Sequence, residues 1–421
     1  MHDVNGETPW EVVVVGAGAA GLLAAARAAE CGRRVLLLEK NHKPGVKILM
    51  SGGTRCNLTH ATDARGIVAA FGSPGRFLHS ALAALGPREL VELVEAEGVP
   101  TKVEETGKVF PASDRAADVL EALMRRLRRS GAEVVLGDAV VEFQREGSGF
   151  LLRTTQQSLG AERVIVTTGG QSYPRCGTNG DGFRWAGALG HTVVKPHVAL
   201  TPITTGVAWV PALKGITMPD VLVSVVPRDA AADGPRRPLA ECRGSLLFAH
   251  FGLSGPAALN VSRAVSAEAD PRNVALECDF LPGVSARELE ARLRQEIAAS
   301  GRRQVTGILA QWLPHRLAET LVGLVGLAAD CRAAEFSNRD RAALLTAVKQ
   351  MRIPITGTLG FAKAEVTAGG VALDEVDSRT MQSKRVPNLY FAGEVLDLDG
   401  PIGGYNFQAA FSTGWLAGSS V

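Results

Sequence analysis

Residues 16–21 read Gly16-Ala17-Gly18-Ala19-Ala20-Gly21, a spacing of glycines that can do chemistry if a strand precedes it and a helix follows. Both conditions are met: a β-branched run at 11–15 leads in, and an alanine-rich stretch leads out to Cys31-Gly32. The first glycine permits the tight turn, the second lets backbone approach a pyrophosphate, and the third lets helix and strand pack closely. The helix start at Ala19 and Ala20 then offers free N–H groups and a positive dipole end to phosphate. A second apolar run at 35–38 closes in Glu39, at the distance expected of a carboxylate that holds ribose hydroxyls. That carboxylate repels a 2′-phosphate, so NADP is disfavoured, and Lys40 beside it is a further candidate contact.

The other half of the site is expected at the far end of the chain. Residues 388–394 form an apolar strand ending in Gly393 and Glu394, and a glycine turn from Asp399 through Gly404 runs into a helix beginning at Tyr405 and Asn406. A carboxylate that pairs with sugar hydroxyls is the role assigned to Glu394, and a helix dipole there stabilises charge on a reduced flavin ring. A strand at 163–168 ending in Thr168-Gly169-Gly170 returns to the same sheet after a hairpin over 133–155. This hairpin resembles the crossover of glutathione-reductase-class FAD domains, which implies that backbone near Val140 meets adenine. The long polar loop at 43–59 supplies further donors to diphosphate and flavin from Lys47, Ser51, Gly52, Arg55 and Asn57. The bound cofactor expected is therefore FAD. Cys56 reads as a small buried hydrophobe before it reads as a reactive thiol.

Bulk properties narrow the class. The 421 residues are 46% hydrophobic and 21% charged, long enough for two or three domains. Lys plus Arg is 45 against 43 Asp plus Glu, so the near-neutral chain shows no basic footprint and nucleic acid is not the partner expected. The arginine cluster at 125–129 reads as the solvated end of a helix. No apolar run reaches membrane-spanning length, and residues 1–9 lack the positive start of an export signal. Six cysteines without a Cys-x-x-Cys pair or His partner at metal spacing imply a cytoplasmic protein with free thiols and no metal site.

Separated blocks then carry a resemblance. They are residues 47–57, 107–111, 168–174 with 180–182, 247–256, 366–371 and 391–406. In this order the chain resembles the YhiN/BaiN-like flavoproteins, often described as NAD(P)/FAD-dependent oxidoreductases or aminoacetone oxidases. The resemblance implies FAD, three domains and no separate NAD-binding domain. Two departures from its pattern bear on the substrate pocket. Thr54 stands where the family usually carries a third glycine, and the aromatic positions within 407–414 vary.

The fold expected is α/β: a discontinuous Rossmann-like FAD-binding domain of the glutathione-reductase class, with an inserted β-barrel-like domain and a helical cap. The FAD domain takes 1–195 and 367–421, the β-rich insert 196–283 and 352–366, and the cap 284–351, with 353–366 read as a strand returning to the sheet. A cap over a flavin excludes water and shapes a pocket for a small-molecule substrate. Candidates to hold substrate or move a proton are His250, Tyr173, Arg55 and Tyr405, with His250 favoured. The leading function is hydride transfer between flavin N5 and a small organic molecule, as amine or alcohol-like oxidation or as reduction of an activated C=C bond, with NAD(P)H or O2 as redox partner. The alternatives are an NAD(P)H-dependent flavin reductase and a non-catalytic FAD-binding redox sensor. The oligomeric state is left open.

Overall fold

The β-branched start of the chain becomes the strand Trp10–Val15, and its last four valines are buried. Apolar on both faces, it takes the centre of a parallel sheet, where such runs belong. Val35–Glu39 lies on one side of it and Ser158–Val166 on the other. Glu133–Leu136 extends the first flank, and Leu389–Phe391 pairs parallel with the second. The antiparallel hairpin Val140–Glu146 and Gly149–Thr154 is attached to the early part of Ser158–Val166. Residues far apart in sequence therefore share one seven-stranded sheet. The computed structural model describes residues 8–229 and 237–421, so most of the polar start read at 1–9 lies outside the described residues.

Two helices fix the glycine turn to this sheet. Ala19–Glu30 buries its small residues, and the C-terminal helix Tyr405–Ser420 packs along it. The approach is backbone-close, because a Cβ added at Gly414 would lie 2.2 Å from the carbonyl oxygen of Ala20. Ala116–Ser130 covers the same helix and ends at Gly131 in the left-handed conformation that stops helices. Arg27 and Arg126 lie over the Trp415 ring at 4.8 and 5.1 Å from its centroid, which joins the three helices at their surface. A small sheet of Thr59–His60, Lys108–Pro111 and Thr101–Val103, with short helices between 64 and 96, completes this first unit.

The first unit comprises Met1–His197 and Glu365–Val421; the second is Val198–Ala364. Seven strands form the second unit's sheet, whose path ends at Met351–Pro354 on one side and Gly357–Thr358 on the other. These end strands are consecutive in the chain. The segment 353–366 is thus not one returning strand. Its first part completes the second sheet, and Val366–Val371 pairs with Val193–Ala199 in the first unit's two-stranded sheet. Between 286 and 349 the chain is helical, with capping boxes at Ser285/Glu288 and Ser337/Asp340. The polar stretch at 336–340 supplies the N-cap Ser337 and the start of Asn338–Lys349. Leu293, Leu317 and Leu344 share one apolar core with Val223, Leu246 and Phe280 of the sheet. An additional helix, Pro256–Ala267, lies within a stretch read as β-rich, and Pro256 occupies its first turn.

Candidate dinucleotide site

Four parallel strands of the first unit end side by side, and each hands a different group to the same edge of the sheet. Val15 leads to the glycine turn, Glu39 terminates the second strand, Val166 leads to Thr167-Thr168-Gly169, and Phe391 leads to Ala392-Gly393-Glu394. Ligands of open α/β sheets bind outside the carboxyl ends of the strands for this reason.

The three turn glycines divide their work as the spacing demands. Gly16 has φ +106°, and a Cβ there would lie 2.8 Å from the Thr167 carbonyl oxygen. A Cβ at Gly21 would lie 1.8 Å from the Gly16 carbonyl oxygen, so that position is closed to any side chain. At Gly18, the N-cap of Ala19–Glu30, a Cβ would meet nothing within 4 Å. The middle glycine thus faces open space beside a helix N-terminus, which is the room a pyrophosphate requires. Nearby, the Thr168 hydroxyl oxygen is buried without a hydrogen-bond partner among the described residues, against Gly182. These features fit FAD.

Glu39 is buried and oriented. Its Oε2 accepts from the Ala17 N–H at 2.8 Å, and Oε1 accepts from the Asn41 backbone N–H at 2.9 Å and from the Asn41 side-chain amide at 2.8 Å. The carboxylate so held keeps lone pairs for sugar hydroxyls. Asp138 N–H donates to the Glu39 carbonyl oxygen at 3.1 Å, which brings Val140 to the side of this strand end. Lys40, the next residue, pairs with Asp181 at 2.6 Å.

Glu394 is the centre of a clamp assembled from distant segments. The Lys47 ammonium donates to Glu394 Oε2 and, at 2.6 Å, to Ser172 Oγ. Glu394 Oε1 accepts from the Ser172 hydroxyl at 2.7 Å and from the Thr367 N–H at 2.9 Å. The Thr367 hydroxyl in turn accepts from the backbone of Gln171 and Ser172. Lys47 and Glu394 are thus brought together, and Ser172 and Thr367 join them, two residues that sequence reasoning did not single out. Both lie inside the blocks that carried the family resemblance, but neither had a chemical role assigned. Gly393 donates its N–H to the Thr413 hydroxyl, tying this turn to the last helix.

The polar loop is more ordered than its composition suggested. Val46–Thr54 begins as a helix anchored by the buried Ile48, and Ser51 to Gly53 then leave helical geometry. Ser51 Oγ caps the Ile48 carbonyl at 2.8 Å, and Gly52 is packed beside Asn57 and Phe110. Thr54 follows at φ +70°, a left-handed position where glycine is free and a β-branched residue is strained. A glycine at this position, which the resemblance implies for the family, would carry no such strain. Asn57, in the amide orientation that satisfies both ends, donates to the Thr59 carbonyl oxygen and accepts from the Gly404 N–H at 2.9 Å. It therefore holds the start of Tyr405–Ser420. Asn406 closes the turn before it by accepting from the Gly400 N–H at 2.8 Å, and Asp399 lies in the same turn. His60, which carried no sequence signal, stacks on Tyr405 at 4.7 Å between centroids and hydrogen-bonds the Gly403 carbonyl oxygen at 3.1 Å.

The proton-handling candidates separate by environment. Arg55 is paired with Glu104 at 2.6 Å and with Asp114 at 3.4 Å, and its guanidinium covers Phe110. The hydrogen bond to Glu104 pushes its pKa further up, so it stays a cation. Cys56 is fully buried, and burial pushes its thiol up to about 12, which makes it inert. His250 is exposed at the turn after Ala240–Ala249, in the second unit, against the Phe251 ring. Tyr173 and Tyr405 stand in the first unit, both with phenols pushed up by burial. Among the described residues no group of three or more His, Cys, Asp or Glu is placed to hold a metal, and no helix is long and apolar enough to cross a membrane.

Comparison with known proteins bears on the same architecture. The model of the HI0933-like protein Rossmann domain matches residues 10–420. A ribosomal RNA dihydrouridine synthase of Escherichia coli is 34% identical over 415 residues, covering 98% of this chain and 98% of that protein. A 3-dehydro-bile acid delta(4,6)-reductase of Clostridium scindens is 32% identical over 416 residues, covering 97% and 98%. Among solved structures, 3-ketosteroid delta1-dehydrogenase from Sterolibacterium denitrificans aligns over 97% of this chain and 98% of its own at 15% identity, with a TM-score of 0.50, a likeness of fold.

Proposed function

The chain belongs to the HI0933-like family of FAD-dependent Rossmann oxidoreductases, and from that premise we propose that it adds hydrogen across a carbon–carbon double bond conjugated to a carbonyl. The observation that carries this reading is the pair of near-full-length relatives with unlike substrates and like chemistry. Dihydrouridine is uridine saturated at the ring double bond beside a carbonyl, and a delta(4,6)-reductase of a 3-dehydro compound removes unsaturation conjugated to a ketone. In each, a carbonyl makes the far carbon of the double bond electron-poor and ready for hydride. Bound FAD, once reduced, supplies that hydride. Of the two directions the residues left open, reduction is therefore favoured over amine or alcohol oxidation.

The chain's own residues bind and orient. The turn around Gly18 and the N-terminus of Ala19–Glu30 take the pyrophosphate, and Glu39 takes the adenosine ribose. Glu394, fixed by Lys47, Ser172 and Thr367, takes a hydroxyl of the ribityl chain, and the N-terminus of Tyr405–Ser420 stabilises negative charge on the reduced ring. RNA returns among the substrate classes, because a near-neutral net charge does not bar a uridine exposed on a folded RNA. A cytoplasmic setting accords with six cysteines that are all unpaired.

The test is anaerobic. The purified yellow holoprotein is reduced with dithionite and mixed in turn with a conjugated enone, uridine and a uridine-containing RNA, while the oxidised protein is mixed with a panel of amines. Return of the flavin band with an enone or uridine acceptor supports the proposal. Bleaching of the oxidised protein by amines, with no reoxidation by any conjugated double bond, overturns it.

A further inference from the structure

Saturating a conjugated double bond needs a proton as well as a hydride, and the first unit offers several groups to give it. Arg55 is locked as a cation between two carboxylates. Lys47 is committed to Ser172 and Glu394, and Tyr405 is stacked on His60 while its residue begins the last helix. Tyr173 differs from all of these. Its backbone has φ +50°, a left-handed conformation that a tyrosine adopts only when the surroundings impose it, and it immediately precedes Pro174.

The imposing contacts are explicit. The carbonyl oxygen of Tyr173 accepts from the Cys176 N–H at 2.8 Å and from the Thr178 hydroxyl at 3.2 Å. The residue before it, Ser172, is bonded through its N–H to Thr367 and through its hydroxyl to Glu394. The strained peptide is thus fastened directly to the carboxylate assigned to the ribityl chain. The half-buried phenol makes no side-chain hydrogen bond among the described residues. A strained, tightly held aromatic residue with an uncommitted hydroxyl, one residue from a cofactor clamp, is how a reacting group is presented.

We propose that Tyr173 is the proton donor of the reduction, an inference that rests on the double-bond reductase reading above. With bound reduced FAD supplying the hydride that would bond to the carbon far from the carbonyl, the π pair would shift toward the carbonyl and the Tyr173 O–H bond would break to place its proton on the near carbon. The phenolate recovers a proton from solvent, so the substrate gains one hydride and one proton. The titratable groups that face the phenol are Glu365 and Cys176. Loss of solvent above all opposes phenolate formation, and the charge of Glu365 as a carboxylate acts in the same direction, so Tyr173 remains protonated at neutral pH.

A nitroalkene separates the two transfers, because hydride addition to it gives a stable nitronate anion and requires no proton. Dithionite-reduced holoprotein and its Tyr173→Phe variant are mixed without oxygen with an enone and, separately, with a nitroalkene, and flavin reoxidation is followed. The expected result is an enone rate lowered about 100-fold or more in the variant, as for loss of a general acid, with the nitroalkene rate nearly unchanged. An enone rate close to that of the unsubstituted protein, or equal slowing with both acceptors, overturns the role of Tyr173 while the reductase reading stands. If the unsubstituted protein reduces neither acceptor, the role of Tyr173 falls, and the reductase reading falls with it when uridine and the uridine-containing RNA also fail to reoxidise the flavin. Should the variant hold no flavin, the unsubstituted protein decides: its enone rate should fall as pH rises through ionisation of the phenol, with a nitroalkene rate that does not, and a shared profile refutes the assignment.

Discussion

Gly18 and Gly21 stand three residues apart in one turn, yet exchanging each for alanine should have opposite consequences. At Gly18 the backbone is extended, with φ −83° and ψ −167°, and the added methyl meets no atom within 4 Å. The FAD-free protein should therefore gain about 0.4–1 kcal/mol, because alanine restricts the unfolded chain more than glycine does. The same methyl occupies the space of the pyrophosphate, and losing one hydrogen bond between backbone and charged phosphate costs about 1.5–3 kcal/mol. FAD affinity should then fall about 10- to 150-fold. At Gly21 the methyl lies 1.8 Å from the Gly16 carbonyl oxygen and 2.6 Å from the Thr167 hydroxyl, so helix and strand must separate. Overpacking of that kind costs about 1–3 kcal/mol or more and lowers stability with or without cofactor. Thermal melting of stripped protein and FAD titration by flavin fluorescence measure the two quantities separately. Were Gly18→Ala to melt below the unsubstituted apoprotein while binding FAD normally, the assignment of the middle glycine to the ligand would be wrong.

Three further outcomes follow from the same contacts. Gly414→Val should lower the melting temperature and weaken FAD binding together, because its side chain is driven into the Ala20 carbonyl 2.2 Å from the Cβ position and moves the helix behind the glycine turn; normal FAD affinity in a destabilised variant would break that link. Thr54→Gly should raise stability or leave it level, because relief of a left-handed β-branched residue, on the order of 1 kcal/mol or more, offsets the entropy cost of glycine, and a clear loss in denaturant titration would contradict the strain. Glu375 is held by Arg385 and by the Thr192 hydroxyl and N–H, and the Arg385 hydrogen bond above all depresses its carboxyl to about 2. A folded pKa below the unfolded value means that the contribution is complete above about pH 4.5 and disappears as pH falls toward 2. Glu375→Gln should accordingly be less stable at neutral pH, with a difference from the unsubstituted protein that narrows in acid; a constant gap from pH 7 downward would exclude this linkage.

What was legible in the sequence is what a single stretch of chain decides by itself. Gly16, Gly18 and Gly21 act within one strand–turn–helix unit, so their spacing carries their roles, and Glu39 follows one strand later. The helix Pro256–Ala267 also had a local signal, Gly255-Pro256 at its start, inside a span read as β-rich as a whole. The segment 353–366 failed differently: Met351–Pro354 and Gly357–Thr358 are too short to show which sheet receives them, and that is settled by pairing with residues 275–278 and 203–204. The Glu394 clamp marks the limit most clearly. Lys47, Ser172, Thr367 and Glu394 stand in four segments, and no spacing relates them: Ser172 and Glu394 follow the paired parallel strands 158–166 and 389–391, Thr367 comes from strand 366–371 of a second small sheet, and Lys47 from the helix 46–54. Thr54 shows the same dependence at a single residue. As a letter it departs from a family pattern, whereas at φ +70° it is a strained side chain in a position suited to glycine. Chemistry confined to one turn is therefore written in residue order, and chemistry assembled across strand ends is written in topology. The glycine turn at 16–21 belongs to the first kind, and the groups that fasten the strained Tyr173 peptide to Glu394 belong to the second.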